Sequence, residues 1–340
     1  MIYALYVVLL VAVVYLSMKL GDFVDLLDKK TNVSGAFIGG VLLAAVTSLP
    51  ELFTSGSAVL LVGENDLVIG NIFGSNIFNM IVIAIGIIVF FKGFKQGNIS
   101  KWHLVLLAVT LVFYGLSSFA IFFPEISPVL TFYIPGLDKN IGFFNLVSLI
   151  MLLGYIILII KQPKTKEEDE DEKEEVDSKL TVKQIIALFS LCAVLLIGVS
   201  IAITYVTDIV AEKIGLGKTV AGAILLGVAT SLPELVSCLT LMRKQNFDAA
   251  FGDITGSNLF NFTILTISDL LAVNSSIYVC NAEVKLFLIC TMVSIAALIT
   301  IIIVKIKKGT FESNKWAFLF VPLGLIIIGS YLCSIIFNIL

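Results

Sequence analysis

Charge is what this chain of 340 residues has least of: 14% of it is Asp, Glu, Lys or Arg, against 59% hydrophobic, and its mean hydropathy is +1.06. A soluble domain keeps roughly a quarter of its residues charged to stay wetted, so the shortage places the chain in a membrane. The net charge of −3 is too small to recruit nucleic acid or another strongly charged macromolecule. Histidine is nearly absent, and the single His103 beside Trp102 opens an apolar stretch, where an interfacial anchor is expected. The five cysteines (Cys192, Cys238, Cys280, Cys290, Cys333) have no C-x-x-C spacing and sit in or beside apolar runs. They read as small buried hydrophobes and imply neither a disulfide framework nor a zinc site. H-E-x-x-H and G-x-S-x-G are missing too, which argues against an intramembrane enzyme. No basic region or cleavage signal precedes the apolar run from Ile2 to Leu16, so that run is expected to be a spanning helix.

Apolar sequence is abundant. A helix crosses the hydrocarbon core with about 20 mainly apolar residues, and ten segments qualify, near 2–18, 34–62, 67–91, 103–123, 143–160, 183–205, 217–242, 249–273, 284–304 and 316–338. The expected fold is therefore an all-α membrane protein with ten transmembrane helices. Eighteen of the 22 Lys and Arg residues fall in the connections after every odd-numbered segment, leaving Lys139, Lys213, Lys218 and Lys285 on the other side. The positive-inside rule then makes the first side cytoplasmic and puts both termini outside a cell membrane. The acidic run Glu167–Glu168–Asp169–Glu170–Asp171–Glu172 reads as a solvated cytoplasmic linker, 162–182, between a first repeat at 1–161 and a second at 183–340.

The halves repeat in sequence. Thr47-Ser48-Leu49-Pro50-Glu51-Leu52 returns as Thr230-Ser231-Leu232-Pro233-Glu234-Leu235. Gly70-Asn71-Ile72-Phe73-Gly74-Ser75-Asn76-Ile77-Phe78-Asn79 returns as Gly252-Asp253-Ile254-Thr255-Gly256-Ser257-Asn258-Leu259-Phe260-Asn261. An odd number of spans per half inverts the second repeat, the plan of alternating-access transporters with a site at the repeat interface. Glu51 and Glu234 fall mid-span, where a carboxylate costs about 2.5–3.5 kcal/mol on insertion scales, and neither has a basic partner at its depth. A bound cation is the remaining partner. The proline before each glutamate frees helical carbonyls such as those of Thr47 and Thr230, which suit a cation. Asn71, Ser75 and Asn79, like Asp253, Ser257 and Asn261, recur every fourth residue and form polar stripes about 12 Å long. Gly70, Gly74, Gly252 and Gly256 leave room for close helix contact. The donors are all oxygens and the two glutamates balance one divalent charge, which favours calcium over zinc, copper or magnesium. Asp253, about 12 Å from Asn261 along its helix, is expected to line the cytoplasmic approach and gather cations there.

At these motifs the chain resembles the calcium/cation antiporter superfamily, and most of all its sodium/calcium exchanger branch, whose signature pairs G-T-S-x-P-E/D with G-N-x-x-G-S-N in both repeats. The resemblance implies calcium ligation by Glu51 and Glu234 with backbone carbonyls of Thr47 and Thr230. It further implies sodium sites that use Ser48, Ser231, Ser75 and Ser257, with Asn79 and Asn261 at the centre, and rocking of the first and sixth helices against a fixed core. The chain departs from the pattern at Val46 and Ala229, which replace glycines, at Asn261, which many prokaryotic members carry as aspartate, and at Asp253, usually asparagine. The proton-coupled branch has G-N-x-x-E in the first motif, so Gly74 favours sodium. Three readings follow: calcium exchanged for sodium, the same scaffold driven by protons and moving calcium or another divalent cation, and a passive cation channel. No cofactor is implied beyond the transported ions, and a monomer in the lipid bilayer is expected. Because a solvated linker supplies no ligand, deletion of 167–175 should leave calcium flux in vesicles largely intact, and lost flux would give that run a regulatory role.

Overall fold

The computed structural model describes residues 1–30, 43–123, 125, 129–133, 140–162, 180–272, 276–278, 281–309 and 317–339. The first part holds α1 (Ile2–Lys30), a broken helix made of α2 (Leu43–Thr47), α3 (Leu49–Ser57) and a π-helical turn (Ala58–Val62), then α4 (Asn65–Val89), α5 (Phe91–Gln96), α6 (Trp102–Phe122) and α7 (Leu146–Lys161). The second holds α8 (Val182–Ile214), a broken helix made of α9 (Lys218–Ala221), a π segment (Gly222–Gly227), α10 (Val228–Thr230) and α11 (Leu232–Arg243), then α12 (Phe247–Leu271), α13 (Ala282–Lys308) and α14 (Ala317–Ile339). Most of the acidic linker lies outside the described residues, as do Cys280 and the start of the expected 34–62 span.

Among the described residues six helices are long and apolar enough to cross a membrane: α1, α4, α6, α8, α13 and α14. The two arms Lys218–Thr230 and Leu232–Arg243, bent by 46°, make a seventh if taken as one span. The other expected spans depart for separate reasons. Leu49–Val62 and Leu146–Lys161 are short, whereas α12 has 25 residues but carries too many polar ones. The expectation of an all-α chain needs correction at one place. Strands β1 (Val129–Tyr133) and β2 (Asn140–Asn145) pair antiparallel between α6 and α7, with Val129 opposite Asn145 and Tyr133 opposite Asn140. Valine, threonine and aromatic residues make up four of the five residues of β1, and isoleucine and phenylalanine three of the six of β2, a composition that favours a pleated strand.

Burial sorts the helices into layers. In the apolar stretch of α4, 78% of residues are buried, against 22% in α1, 17% in α8 and 22% in α14. The last three therefore lie on the outside of the helix assembly, and α4 runs through the centre with α12 against it. Gly70 and Gly74 permit this: a Cβ at 70 would strike the Thr219 carbonyl oxygen, and one at 74 would strike the Ala223 backbone. The expected equivalence fails at Gly252, whose nearest described neighbour outside its own helix is the His103 ring at 3.6 Å, an ordinary van der Waals contact. His103 also departs from its expected role. It is buried, and its Nε2 lies 2.9 Å from Asp248 Oδ1, so it ties the start of α6 to the start of α12. Among the described cysteines all four are free, with Cys238 and Cys290 buried and Cys192 and Cys333 half-buried.

The outer helices α1 and α8 pack against each other and reach across to the π segments. Tyr6 Oη donates to the Leu225 carbonyl at 2.6 Å, and Tyr205 Oη donates to the Leu61 carbonyl at 2.9 Å. Leu225 lies within the π segment, and Leu61 lies in the last turn before the Gly63 cap, where helix-end carbonyls are open to outside donors. The glycine contact gives a direct test. Gly70→Ala should cost about 1–3 kcal/mol through overpacking, seen as earlier thermal unfolding in detergent. Gly115→Ala, with nothing within 4 Å of the added carbon, should unfold no earlier than the parent.

Candidate functional site

Both broken helices fail at a serine. Ser48 has φ −89° and ψ 10°, and Ser231 has φ −91° and ψ 5°, each just ahead of a proline in the first turn of the next arm. Proline has no N–H and its ring clashes with the carbonyl four residues back, so the preceding turn opens and the second arm restarts at a new angle. This sets Glu51 and Glu234 in the first turns of α3 and α11, at the protein's centre, with each carboxylate 1% exposed. All ten residues singled out by the repeated motifs are buried: Thr47, Ser48, Glu51, Ser75, Asn79, Thr230, Ser231, Glu234, Ser257 and Asn261.

Identical motifs acquire different partners. Glu51 Oε1 accepts from Ser231 Oγ at 3.2 Å and from Ser75 Oγ at 3.5 Å, while its Oε2 has no partner. Ser75 also donates to the Gly227 carbonyl at 3.1 Å and lies 3.4 Å from Thr230 Oγ1. The repeat equivalents of the two serines are Ser257 and Ser48, and their hydroxyls make no hydrogen bond among the described residues. Neither oxygen of Glu234 accepts one, although Thr47 of the first half faces it and Glu51 and Asp253 both act on it electrostatically. Among the described residues no ion pair reaches Glu51, Glu234 or Asp253. A buried carboxylate without donors or counter-charge carries a desolvation penalty of several kcal/mol unless a cation occupies its lone pairs.

Where α4 crosses α12, four asparagines interlock. Asn79 Nδ2 donates to Asn258 Oδ1 at 2.9 Å and Asn261 Nδ2 donates to Asn76 Oδ1 at 2.8 Å. Asn76 Nδ2 reaches the Asn258 carbonyl at 3.4 Å and Asn258 Nδ2 reaches the Asn76 carbonyl at 3.2 Å. Each bond has its mirror in the other repeat. With their amide nitrogens committed, Asn79 and Asn261 hold their Oδ1 atoms buried and unpartnered. The result is a set of open hard oxygens from carboxylate, amide and hydroxyl groups, the donor chemistry of an alkali or alkaline-earth cation. Among the described residues no three His, Cys, Asp or Glu side chains gather as a metal cluster, so the carboxylates would share any ion with neutral oxygens.

Several of these groups escape a reading of stripes alone. Asn76 and Asn258 lie off the every-fourth pattern and do the interlocking. Asn71 Nδ2 donates to Thr54 Oγ1 and Ser55 Oγ, both at 2.9 Å. Ser200, Thr204 and Thr207 are buried in α8, and their spacing of four and three residues was a legible signal of one helix face. Asp253 differs from its expected place on an open approach: it is 7% exposed, packed toward α11, and neither oxygen has a partner among the described residues.

Comparison with known proteins follows the same outline. The family model "Sodium/calcium exchanger protein" matches residues 1–162 and 184–340. The "Inner membrane protein YrbG" of Escherichia coli (strain K12) is 26% identical over 266 residues, 77% of each chain. A crystal structure of the H+/Ca2+ exchanger CAX superposes with a TM-score of 0.64 at 15% identity, covering 99% of this chain and 90% of that one. The sodium-calcium exchanger NCX_Mj gives 0.57 at 19% identity, covering 97% and 99%. At these identities the two structures establish a shared fold.

The amide interlock predicts coupled losses. Asn76→Ala and Asn258→Ala should each destabilise the protein by about 1–3 kcal/mol, because each strands buried polar groups. The double variant should lose clearly less than the two losses added together. Chemical denaturation in detergent measures this, and full additivity would show that the two side chains act independently.

Proposed function

The chain belongs to the sodium/calcium exchanger protein family, and from that premise we propose that it exchanges calcium for sodium across the membrane by alternating access, with Glu51 and Glu234 as the principal calcium ligands. Members of the family are secondary transporters and not enzymes. The observation that carries the reading is the group of buried, unpartnered oxygens around the two broken helices: both of Glu234, one of Glu51, Oδ1 of Asn79 and of Asn261, and the hydroxyls of Ser48 and Ser257. Calcium takes 6–8 oxygens in a flexible arrangement, and two carboxylates neutralise it. Sodium needs fewer ligands and less charge, so subsets of the same group, built on Ser48, Ser231, Ser75 and Ser257, would serve it in the other half of the cycle. Carbonyls of Thr47 and Thr230 complete the calcium shell in this reading.

Sodium is favoured as the driving ion by Gly74. It stands where the proton-coupled pattern has glutamate, and the Ala223 backbone against it leaves no space for one. The ten-span inverted topology, with the linker in the cytoplasm and both termini outside, completes the proposal. Its support is the reciprocity of the site, in which the polar helix of one half lies against the broken helix of the other.

Reconstituted vesicles test the reading. An imposed sodium gradient should drive calcium uptake, and a pH gradient in sodium-free medium should not. Glu51→Gln and Glu234→Gln should each cut calcium uptake by roughly tenfold or more while the protein still elutes as a folded species. Robust flux in either variant would remove the glutamates from the site.

A further inference from the structure

The two repeats differ chemically at one matched position, Asn71 in the first and Asp253 in the second. In the first half the Asn71 amide nitrogen sits among three oxygens: Thr54 Oγ1 at 2.9 Å, Ser55 Oγ at 2.9 Å and the Glu51 carbonyl at 3.4 Å. Its Oδ1 lies 3.4 Å from Thr230 Oγ1, which donates to it. The two amide hydrogens supply the positive charge that this nest of acceptors requires.

In the second half the matched groups are Glu234, Ser237 and Cys238. Asp253 faces all three, from α12 toward successive turns of α11. A carboxylate has no hydrogen to offer, so the place filled by an amide in the first half sets acceptor against acceptor at Glu234 in the second, with the Ser237 hydroxyl as the one oxygen donor facing Asp253. Asp253 is 7% exposed, and neither of its oxygens nor either oxygen of Glu234 has a hydrogen-bond partner among the described residues. Lys305, buried among the described residues, does not help, because it donates to the carbonyls of Lys95 and Gly309.

We infer that Asp253, Ser237 and Glu234 form a second cation site, one that takes a monovalent alkali ion in the position occupied by the Asn71 amide group in the other repeat. The inference rests on the exchanger reading for the partner ion at Glu51 and Glu234. Charge selects the monovalent class. When ionised, the three carboxylates Glu51, Glu234 and Asp253 carry three negative charges, of which a bound calcium ion cancels two and an alkali ion the third. Ligand supply selects it again. Cysteine at 238 replaces the hydroxyl that Ser55 provides at the matched place, and a divalent ion would need 6–8 oxygens or tightly held water. Among the described residues the three carboxylates also do not gather into one metal cluster. The calcium-loaded protein thus retains an alkali ion beside its divalent cargo.

Equilibrium binding on the purified full chain decides it. With calcium saturating and pH fixed, radiolabelled sodium, or rubidium in place of potassium, should be retained at a single ion per protein. Asp253→Asn, which installs the residue already present at the matched position, should weaken that retention roughly tenfold or more, with calcium binding measured on the same sample. Ser237→Ala should weaken it severalfold and serves as the second variant if the first does not fold. Absence of a retained alkali ion in the parent, or undiminished retention in Asp253→Asn, overturns the site, as does occupancy that follows pH in place of alkali concentration. Failure of the parent to bind calcium at all would instead count against the exchanger reading. In that event calcium-free binding still scores the inference, since Asp253→Asn must hold one alkali ion fewer than the parent.

Discussion

A carboxylate in hydrocarbon has to be answered by hydrogen bonds, a counter-charge or a bound ion, and Glu51 and Glu234 impose that demand on everything around them. No described cation approaches either. The helices that carry them are interrupted by proline immediately before the acid, which turns each side chain inward from the start of a fresh helical arm. The two acids then meet opposite halves of the chain: Ser231 of the second half grips Glu51, and Thr47 of the first half faces Glu234. Because one acid is hydrogen-bonded and the other is bare, the centre has a built-in bias along the line joining them. The bare side is where an ion gains most by binding.

The same demand explains why the two most polar long helices cross each other and not the lipid. Asparagine pairs placed across α4 and α12 satisfy one another with reciprocal bonds, so no amide nitrogen is left over, and the surplus acceptors Asn79 Oδ1 and Asn261 Oδ1 stay free. Interhelical hydrogen bonds of this kind contribute modestly in membranes, about 1 kcal/mol each. Their larger effect here is orientation: an amide that has spent its hydrogens on a neighbour presents only oxygen to the site. Gly70 and Gly74 allow the backbones to come close enough for the short polar side chains around them to reach across.

Much of this was legible in the amino-acid order. Proline before a mid-span glutamate, twice, located both breaks, and the four-residue spacing of Asn71, Ser75 and Asn79 identified a buried polar face. What the order did not disclose depends on contacts in the third dimension. Glu51 and Glu234 have the same local sequence, so the difference in their hydrogen bonding could not be read from either motif. Asn76 and Asn258 stand one position beyond their serines and serve the flank of the helix that meets its counterpart, a face hidden when only one stripe is followed. The pairing of 129–133 with 140–145 escapes the sequence reading because most of that stretch falls between the expected spans near 103–123 and 143–160, where its β-branched and aromatic content goes unweighed. His103 was placed at a surface because its neighbour is tryptophan, and only the fold brings Asp248 to it.

The tyrosine bonds of the outer layer carry a consequence for motion. Tyr6 on α1 and Tyr205 on α8 each fasten to a carbonyl of a π-helical segment, at Leu225 and Leu61. Neither outer helix shifts along its axis without surrendering that carbonyl. The next carbonyl on the same face of a helix is about one turn, 5.4 Å, further on. Travel of this layer is therefore indexed, moving between discrete registers with a barrier at each release and no continuous glide, and the two tyrosines act as the detents.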